Sequence, residues 1–141
     1  MSDRFKDWKP PEIIEGQPTK WNWVVQNVAG LILGANTDIG AFTYINALNG
    51  VTIEDNLQIG SHCSIYSVST IDDKEGMVFI GENSRIGSHS IIMPGVSIGR
   101  NVVIGAFSFV TSDIPDNWLA YGIPAKPIKQ MPAKLLKHIG W

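Results

Sequence analysis

Aliphatic residues recur along the chain in steps of six: Leu33, Ile39 and Ile45, then Ile53, Ile59, Ile65 and Ile71, then Ile80, Ile86, Ile92, Ile98, Ile104 and Val110. The register slips twice, by two residues between Ile45 and Ile53 and by three between Ile71 and Ile80, and each slip marks an insertion. At about 100° per residue, positions six apart share no face of an α-helix, so the period excludes amphipathic helices. One residue after the aliphatic stand Gly34, Gly40, Gly60, Gly81, Gly87, Gly99 and Gly105, where a sharp turn would call for a positive φ. Four residues after it stand Thr37, Thr43, Cys63, Ser69, Ser84, Ser90, Val96, Val102 and Ser108, most of them small. One large and one small inward residue, followed by Gly, Asn or Asp at a bend, suits a short strand and a corner.

Three such sides close a triangular coil of eighteen residues. The expected fold is all-β, a parallel β-helix of about four triangular coils with a short C-terminal helix. In this arithmetic Ile45, Ile65, Ile86 and Ile104 stack, as do Ile39, Ile59, Ile80 and Ile98. At the usual strand spacing of about 4.8 Å the prism stands on the order of 20 Å tall. Both ends of such a solenoid need covering, and its thin core favours oligomerisation. The strand-like KWNWVVQ, with Trp21 and Trp23 on one side, is expected to cap the first coil, and residues 132–138 to form the closing helix. The chain thus divides into an N-terminal extension and cap (1–30), the repeat (31–114) and an extended tail with its helix (115–141).

Composition narrows the setting. With 44% hydrophobic and 17% charged residues and a net charge of −2, the chain is neither disordered nor collagen-like, and it offers no electrostatic case for a nucleic acid partner. The lone Cys63 cannot make an intrachain disulfide, and its hexad position, grouped here with Ser84 and Val102, makes it a buried packing residue instead of a nucleophile. No run approaches the roughly 20 apolar residues of a membrane span, and MSDRFKDWKPP lacks a signal peptide's apolar core. The expected location is cytoplasmic, with no membrane partner.

The hexads from Leu33 to Lys129 resemble the left-handed β-helix, hexapeptide-repeat family of acyltransferases. The stretch IGSHSIIMPGVSIGRNVVIGAFSFVTSDIPDNWLAYGIPAKPIK is the most specific part and resembles the sugar acetyltransferase branch. The left-handed coiling is an implication of this resemblance, since general chain rules favour right-handed crossovers. So are a homotrimer, acetyl-CoA as co-substrate and an active site in the groove between subunits.

Acyl transfer needs a base for the nucleophile's proton and a donor for the tetrahedral oxyanion. His62 and His89 both follow their aliphatic by three residues and should point outward; counting coils sets His62 beside Phe42, Asn83 and Asn101, and His89 beside Leu48, Val68 and Phe107. His138 lies outside the repeat. In the related acetyltransferases the catalytic histidine stands just before or within a protrusion, but the matching stretch YSVSTIDDKEGMVF, Tyr66 to Phe79, holds none. Three readings stay open: His62 has taken the role, Asp72 or Asp73 accepts the proton, or the acceptor needs little basic help. The last suits an amine, which is far more nucleophilic than an alcohol once neutral. Asn46, in TYINALNG, resembles an asparagine that the family places near its acceptor. Resemblance also makes Gly87, Ser88, Gly105 and Ala106 candidates for the pantetheine arm, and Lys126 and Lys129 candidates for the nucleotide phosphates of the cofactor.

The expected activity is acetyl transfer from acetyl-CoA to the amino group of a nucleotide-linked amino sugar in surface polysaccharide biosynthesis, with no metal required. O-acetylation of a sugar hydroxyl is the first alternative. A zinc enzyme like the γ-carbonic anhydrases is another, although the repeat supplies only His62 and His89 where zinc takes three protein ligands. A non-catalytic trimeric scaffold is the third.

Overall fold

The computed structural model of the chain describes residues 4–132. Three parallel sheets wind about one axis, each turn of chain adding a strand to each sheet. The first face stacks Val24–Gln26, Tyr44–Asn46, Ser64–Tyr66, Ile91–Ile92 and Phe109–Val110. The second stacks Leu31–Leu33, Val51–Ile53, Val78–Ile80 and Ser97–Ile98, with Ile114 bridged beyond Ile98. The third stacks Thr37–Ile39, Leu57–Ile59, Arg85–Ile86, Val103–Ile104 and Trp118–Gly122, onto which Ala125–Gln130 folds back antiparallel. The β-helix expected from the period is therefore present, with about four coils. Among the described residues the one helical element is the 3₁₀ turn Val28–Gly30, and no helix is long and apolar enough to cross a membrane. The closing helix expected over residues 132–138 falls almost wholly outside the described residues, as does His138.

Aliphatic columns fill the axis: Val25, Ile45, Ile65, Ile92 and Val110 on the first face, and Ile39, Ile59, Ile86, Ile104 and Ala120 on the third. The second face contributes Leu33, Ile53, Ile80 and Ile98. This register corrects the expected stacking at one step: Ile65 lies against Ile92 instead of Ile86, and Ile59 against Ile86 instead of Ile80. The cause is Ile71. It is 98% exposed, in a hairpin whose arms are Val68–Ser69 and Lys74–Glu75, and it keeps the six-residue phase without joining the core. The insertion before Ile80 thus holds nine residues where three were expected.

The corner glycines also serve a different need from the one expected. Positive φ falls two residues later, on Asn36, Asn56, Asn83, Asn101 and Asn117 at one corner and on Phe42, His62, His89 and Phe107 at another. The glycines instead admit the next coil. A Cβ on Gly60 would stand 2.6 Å from the Ser88 nitrogen, and one on Gly87 2.4 Å from that of Ala106. Coils about 4.8 Å apart leave no room for it at these corners.

Small inward residues stitch coil to coil. Thr43 Oγ1 donates to the Gly60 carbonyl at 2.9 Å, Ser84 Oγ to Gly99 at 2.9 Å and Ser90 Oγ to Gly105 at 3.1 Å. Cys63 is buried and its Sγ faces the Gly87 carbonyl at 3.3 Å, with burial pushing the thiol pKa up. It behaves as the packing residue expected, but its column holds Thr43 and Ser90, not Ser84 and Val102. Among the described residues no buried side-chain nitrogen or oxygen lacks a partner, as a polar-lined thin core requires.

Residues 4–20 cross the open first coil. Trp8 Nε1 donates to the Thr37 carbonyl at 2.8 Å, and the Gly16 amide to Val25 at 2.9 Å. Within KWNWVVQ only Val24–Gln26 is strand, and it opens the first face. The two tryptophans expected on one side differ: Trp23 is buried at 3% exposure, whereas Trp21 remains 50% exposed.

Candidate active site

At the corner between the third and first faces, four rings form one continuous exposed column. Phe42 and His62 have centroids 5.1 Å apart, His62 and His89 stack at 4.6 Å with planes 6° apart, and His89 and Phe107 stack at 4.9 Å and 4°. All four hold left-handed backbone, which costs a bulky residue more than it costs asparagine. The opposite corner shows the cheaper solution, an asparagine at each such position, with Asn83 donating to Asn101 at 2.7 Å and Asn101 to Asn117 at 3.1 Å. Rings at the positions where the other corner carries asparagine, two of them phenylalanines that tolerate this backbone poorly, make this corner the candidate site.

The column corrects the expected neighbours of both histidines. Phe42 does stand beside His62, and Phe107 beside His89, but Asn83 and Asn101 belong to the other corner, and His89 takes the place beside His62 that they were given. His89 thereby joins His62 as a candidate at this corner. The repeated third-place ring after Ile39, Ile59, Ile86 and Ile104 is the signal that would have found the pair, once Ile71 is left out of the count.

Gly87, Ser88, Gly105 and Ala106 form the same corner in the two coils that carry His89 and Phe107, with the Phe107 amide bonded to the Ser88 carbonyl at 3.0 Å. Gly87 and Gly105 are closed over by the next coil, and Ser88 and Ala106 carry the outer surface of this corner beside His89 and Phe107. Lys126 continues that surface: it pairs with Tyr121, whose Cβ would lie 2.9 Å from a Cβ on Gly105. Lys129, paired with Leu119, stands further along the same exposed strand.

Asn46 and Asp72 lie at the opposite edge of the first face. Asn46 Oδ1 accepts from Asn27 Nδ2 at 2.9 Å, and its Nδ2 donates to Tyr44 Oη at 3.3 Å, with Tyr44 also bonded to Gln26. The Tyr66 ring stands 5.9 Å from that of Tyr44. Ser67, which opens the hairpin bearing Asp72, donates through Oγ to the Asn46 carbonyl at 2.8 Å. A hydrogen bond from Ser69, joined by the Lys74 ammonium 3.6 Å away, holds the Asp72 carboxyl below its ordinary pKa, which makes it a weaker base. A three-residue strand, about 10 Å long, separates this edge from His62. One chain therefore unites His62 with the candidate cofactor positions and Asn46 with the hairpin, and keeps the two groups apart. Among the described residues no three His, Cys, Asp or Glu side chains gather as a metal site.

Comparison with known proteins agrees with this architecture. Residues 77–112 match the bacterial transferase hexapeptide model of six repeats. The chain is 40% identical to the galactoside O-acetyltransferase of Escherichia coli over 114 residues, 70% of this chain and 56% of that protein. It thus spans about half the length of the curated relatives it matches, the corresponding share for the Lactococcus lactis galactoside O-acetyltransferase being 51%. Among solved structures, a maltose O-acetyltransferase of Clostridium difficile superposes with a TM-score of 0.67 at 31% identity, over 79% of this chain and 64% of that one. The N-acyltransferase AntD of Bacillus cereus, solved with dTDP and coenzyme A, shares the fold at a TM-score of 0.69 and 22% identity, over 85% of this chain and 82% of its own. Repeat, prism and relatives together place the chain in the left-handed β-helix family of hexapeptide-repeat transferases.

Proposed function

We propose that this chain is a sugar acetyltransferase that uses acetyl-CoA, and that its acceptor is the amino group of a nucleotide-linked sugar. The observation that carries the reading is the stacked, exposed pair of imidazoles, His62 and His89, at the corner that also holds the candidate cofactor positions Gly87, Ser88, Gly105 and Ala106. A pantetheine arm laid along the outside of that corner, over Ser88 and Ala106, with the phosphates near Lys126 and Lys129, brings its thioester to the rings. The neutral amine attacks the thioester carbonyl carbon, a C–N bond forms, and the C–S bond breaks as the tetrahedral intermediate collapses. The proton lost by nitrogen passes through His62 to the departing thiolate, so amide and free thiol are the products. Asn46 and the hairpin of Asp72, brought by a neighbouring chain of a homotrimer, hold the acceptor.

An amine is favoured because the hairpin from Tyr66 to Phe79 has no histidine and Asp72 is a weakened base, and an amine needs the least help in losing its proton. O-acetylation is the second reading, favoured by the relatives named as galactoside and maltose O-acetyltransferases. A panel of nucleotide-linked amino sugars, galactosides and maltose, assayed with acetyl-CoA, separates the two. Turnover confined to the amino sugars is expected; turnover confined to simple hydroxylic sugars selects O-acetylation. Acetyl-CoA should also raise the melting temperature in proportion to the logarithm of its concentration, and no shift would leave only a scaffold.

A further inference from the structure

The N-terminal segment does more than close the first coil. Between residues 4–20 and the top of the third face lies an open cavity of about 1210 Å³, lined by residues that include Trp8, Lys9, Lys20, Trp21 and Thr37. It exceeds the roughly 300–1,000 Å³ usual for small-molecule sites. Its lining carries four cations, Arg4, Lys6, Lys9 and Lys20, against three carboxylates, Asp7, Glu12 and Asp38, and of the cations only Arg4 is ion-paired among the described residues, with Asp38. Lys20 sits over the Trp21 ring, 5.5 Å from its centroid, and that ring is half exposed although a large apolar surface gains nothing in water. A half-exposed aromatic ring with the Lys20 ammonium over it and Lys9 in the same lining is suited to a heteroaromatic base carrying phosphates. Asp7 and Glu12, also in the lining, can accept from sugar hydroxyls.

The position of the cavity says which nucleotide. Trp21 precedes Asn22, whose carbonyl accepts the Phe42 amide at 2.7 Å, and Phe42 packs on His62. The cavity rim therefore stands two coils, about 10 Å, above His62 along the ring column. The candidate cofactor positions lie on the other side of the same histidine along the column, in the coils of His89 and Phe107. We infer that the N-terminal cavity binds the nucleoside diphosphate of the sugar acceptor, the base on Trp21 and the phosphates among Lys9 and Lys20, so that the sugar descends the ring column to His62 while the acyl donor ascends it. This rests on the acetyltransferase reading for its direction, but the binding site stands on its own.

Calorimetric titration of the full chain with UDP and dTDP tests it. Binding is expected, with Trp21→Ala and Lys20→Ala each weakening it about tenfold, the scale of one lost charge-assisted or stacking contact, while the thermal shift caused by acetyl-CoA persists. Both side chains are exposed, so the variants should fold; Lys9→Ala gives an independent third. Absence of binding at millimolar nucleotide, or binding unchanged in all three variants, overturns the inference. So does displacement of UDP by coenzyme A, which would assign the cavity to the donor. Acetyl transfer to a simple amino sugar without nucleotide binding removes the cavity and leaves the acetyltransferase reading; nucleotide binding without any response to acetyl-CoA does the reverse.

Discussion

His62 illustrates how much one position in a repeat can carry. Its φ of 58° belongs to the region that asparagine tolerates best, and its counterparts at the neighbouring corner are asparagines. His62→Asn therefore removes the imidazole without straining the turn. The expected result is a variant that melts within a few degrees of the parent, keeps its KM for acetyl-CoA and loses about 100-fold or more in kcat, the usual worth of a positioned base. Unchanged turnover would remove His62 from the chemistry. The same position shows where a residue's meaning was hidden. That both histidines point outward follows from their place in the hexad, but that their rings stack at 4.6 Å depends on which coil lies beneath which.

Among elements, the N-terminal cap depends on a carboxylate. Glu15 accepts the amides of Asn27 at 2.8 Å and Val28 at 2.9 Å, the opening of the 3₁₀ turn Val28–Gly30, which has no side-chain cap of its own from Asn27. Those two bonds, that from Val28 foremost, hold the Glu15 pKa below its ordinary value. A carboxyl whose pKa is lowered on folding stabilises the fold above its unfolded pKa, and that contribution is lost as pH falls toward the folded value. Hydrogen exchange at Asn27 and Val28 should accelerate relative to the coils as pH drops through the carboxylate range, and Glu15→Gln should remove the pH dependence. Exchange that stays flat in the parent would show that the cap is held elsewhere. The cap itself was legible only in part: KWNWVVQ was expected to cover the first coil, yet Val24–Gln26 joins the sheet and residues 4–20 do the covering, because Val25 continues the column of Ile45.

For the whole molecule, the separation of Asn46 from His62 carries the consequence. A site that needs both must draw them from two chains, across a groove that in a closed ring repeats identically at every interface. Sedimentation should give three times the chain mass. Mixing His62→Asn subunits with Asn46→Ala subunits after unfolding should restore roughly one site in four, since only one ordering of neighbours recovers both groups. No recovery would mean that each chain completes its site alone.

Periodicity was enough to predict the prism: inward Ile and Val every six residues, small residues between them and glycine at the corners describe a three-sided parallel coil, although not its hand. It also located the first insertion and the outward histidines, and showed that a second insertion precedes Ile80. It could not number the sides. Six-residue phase is the same whether three or nine residues are inserted before Ile80, so Ile71 passed for a core position and every later side moved by one. Only the packed coils distinguish the two, because an isoleucine joins the core when hydrogen-bonded neighbours surround it, and Ile71 has none at the tip of its hairpin. That single step decided that His62 meets His89, whereas the placement of Asn46 across a face from His62 already followed from the stacking of Ile45 on Ile65. The cavity above them was likewise invisible along the chain, since it is made by residues 4–20 folding over a sheet edge with which they share no repeat.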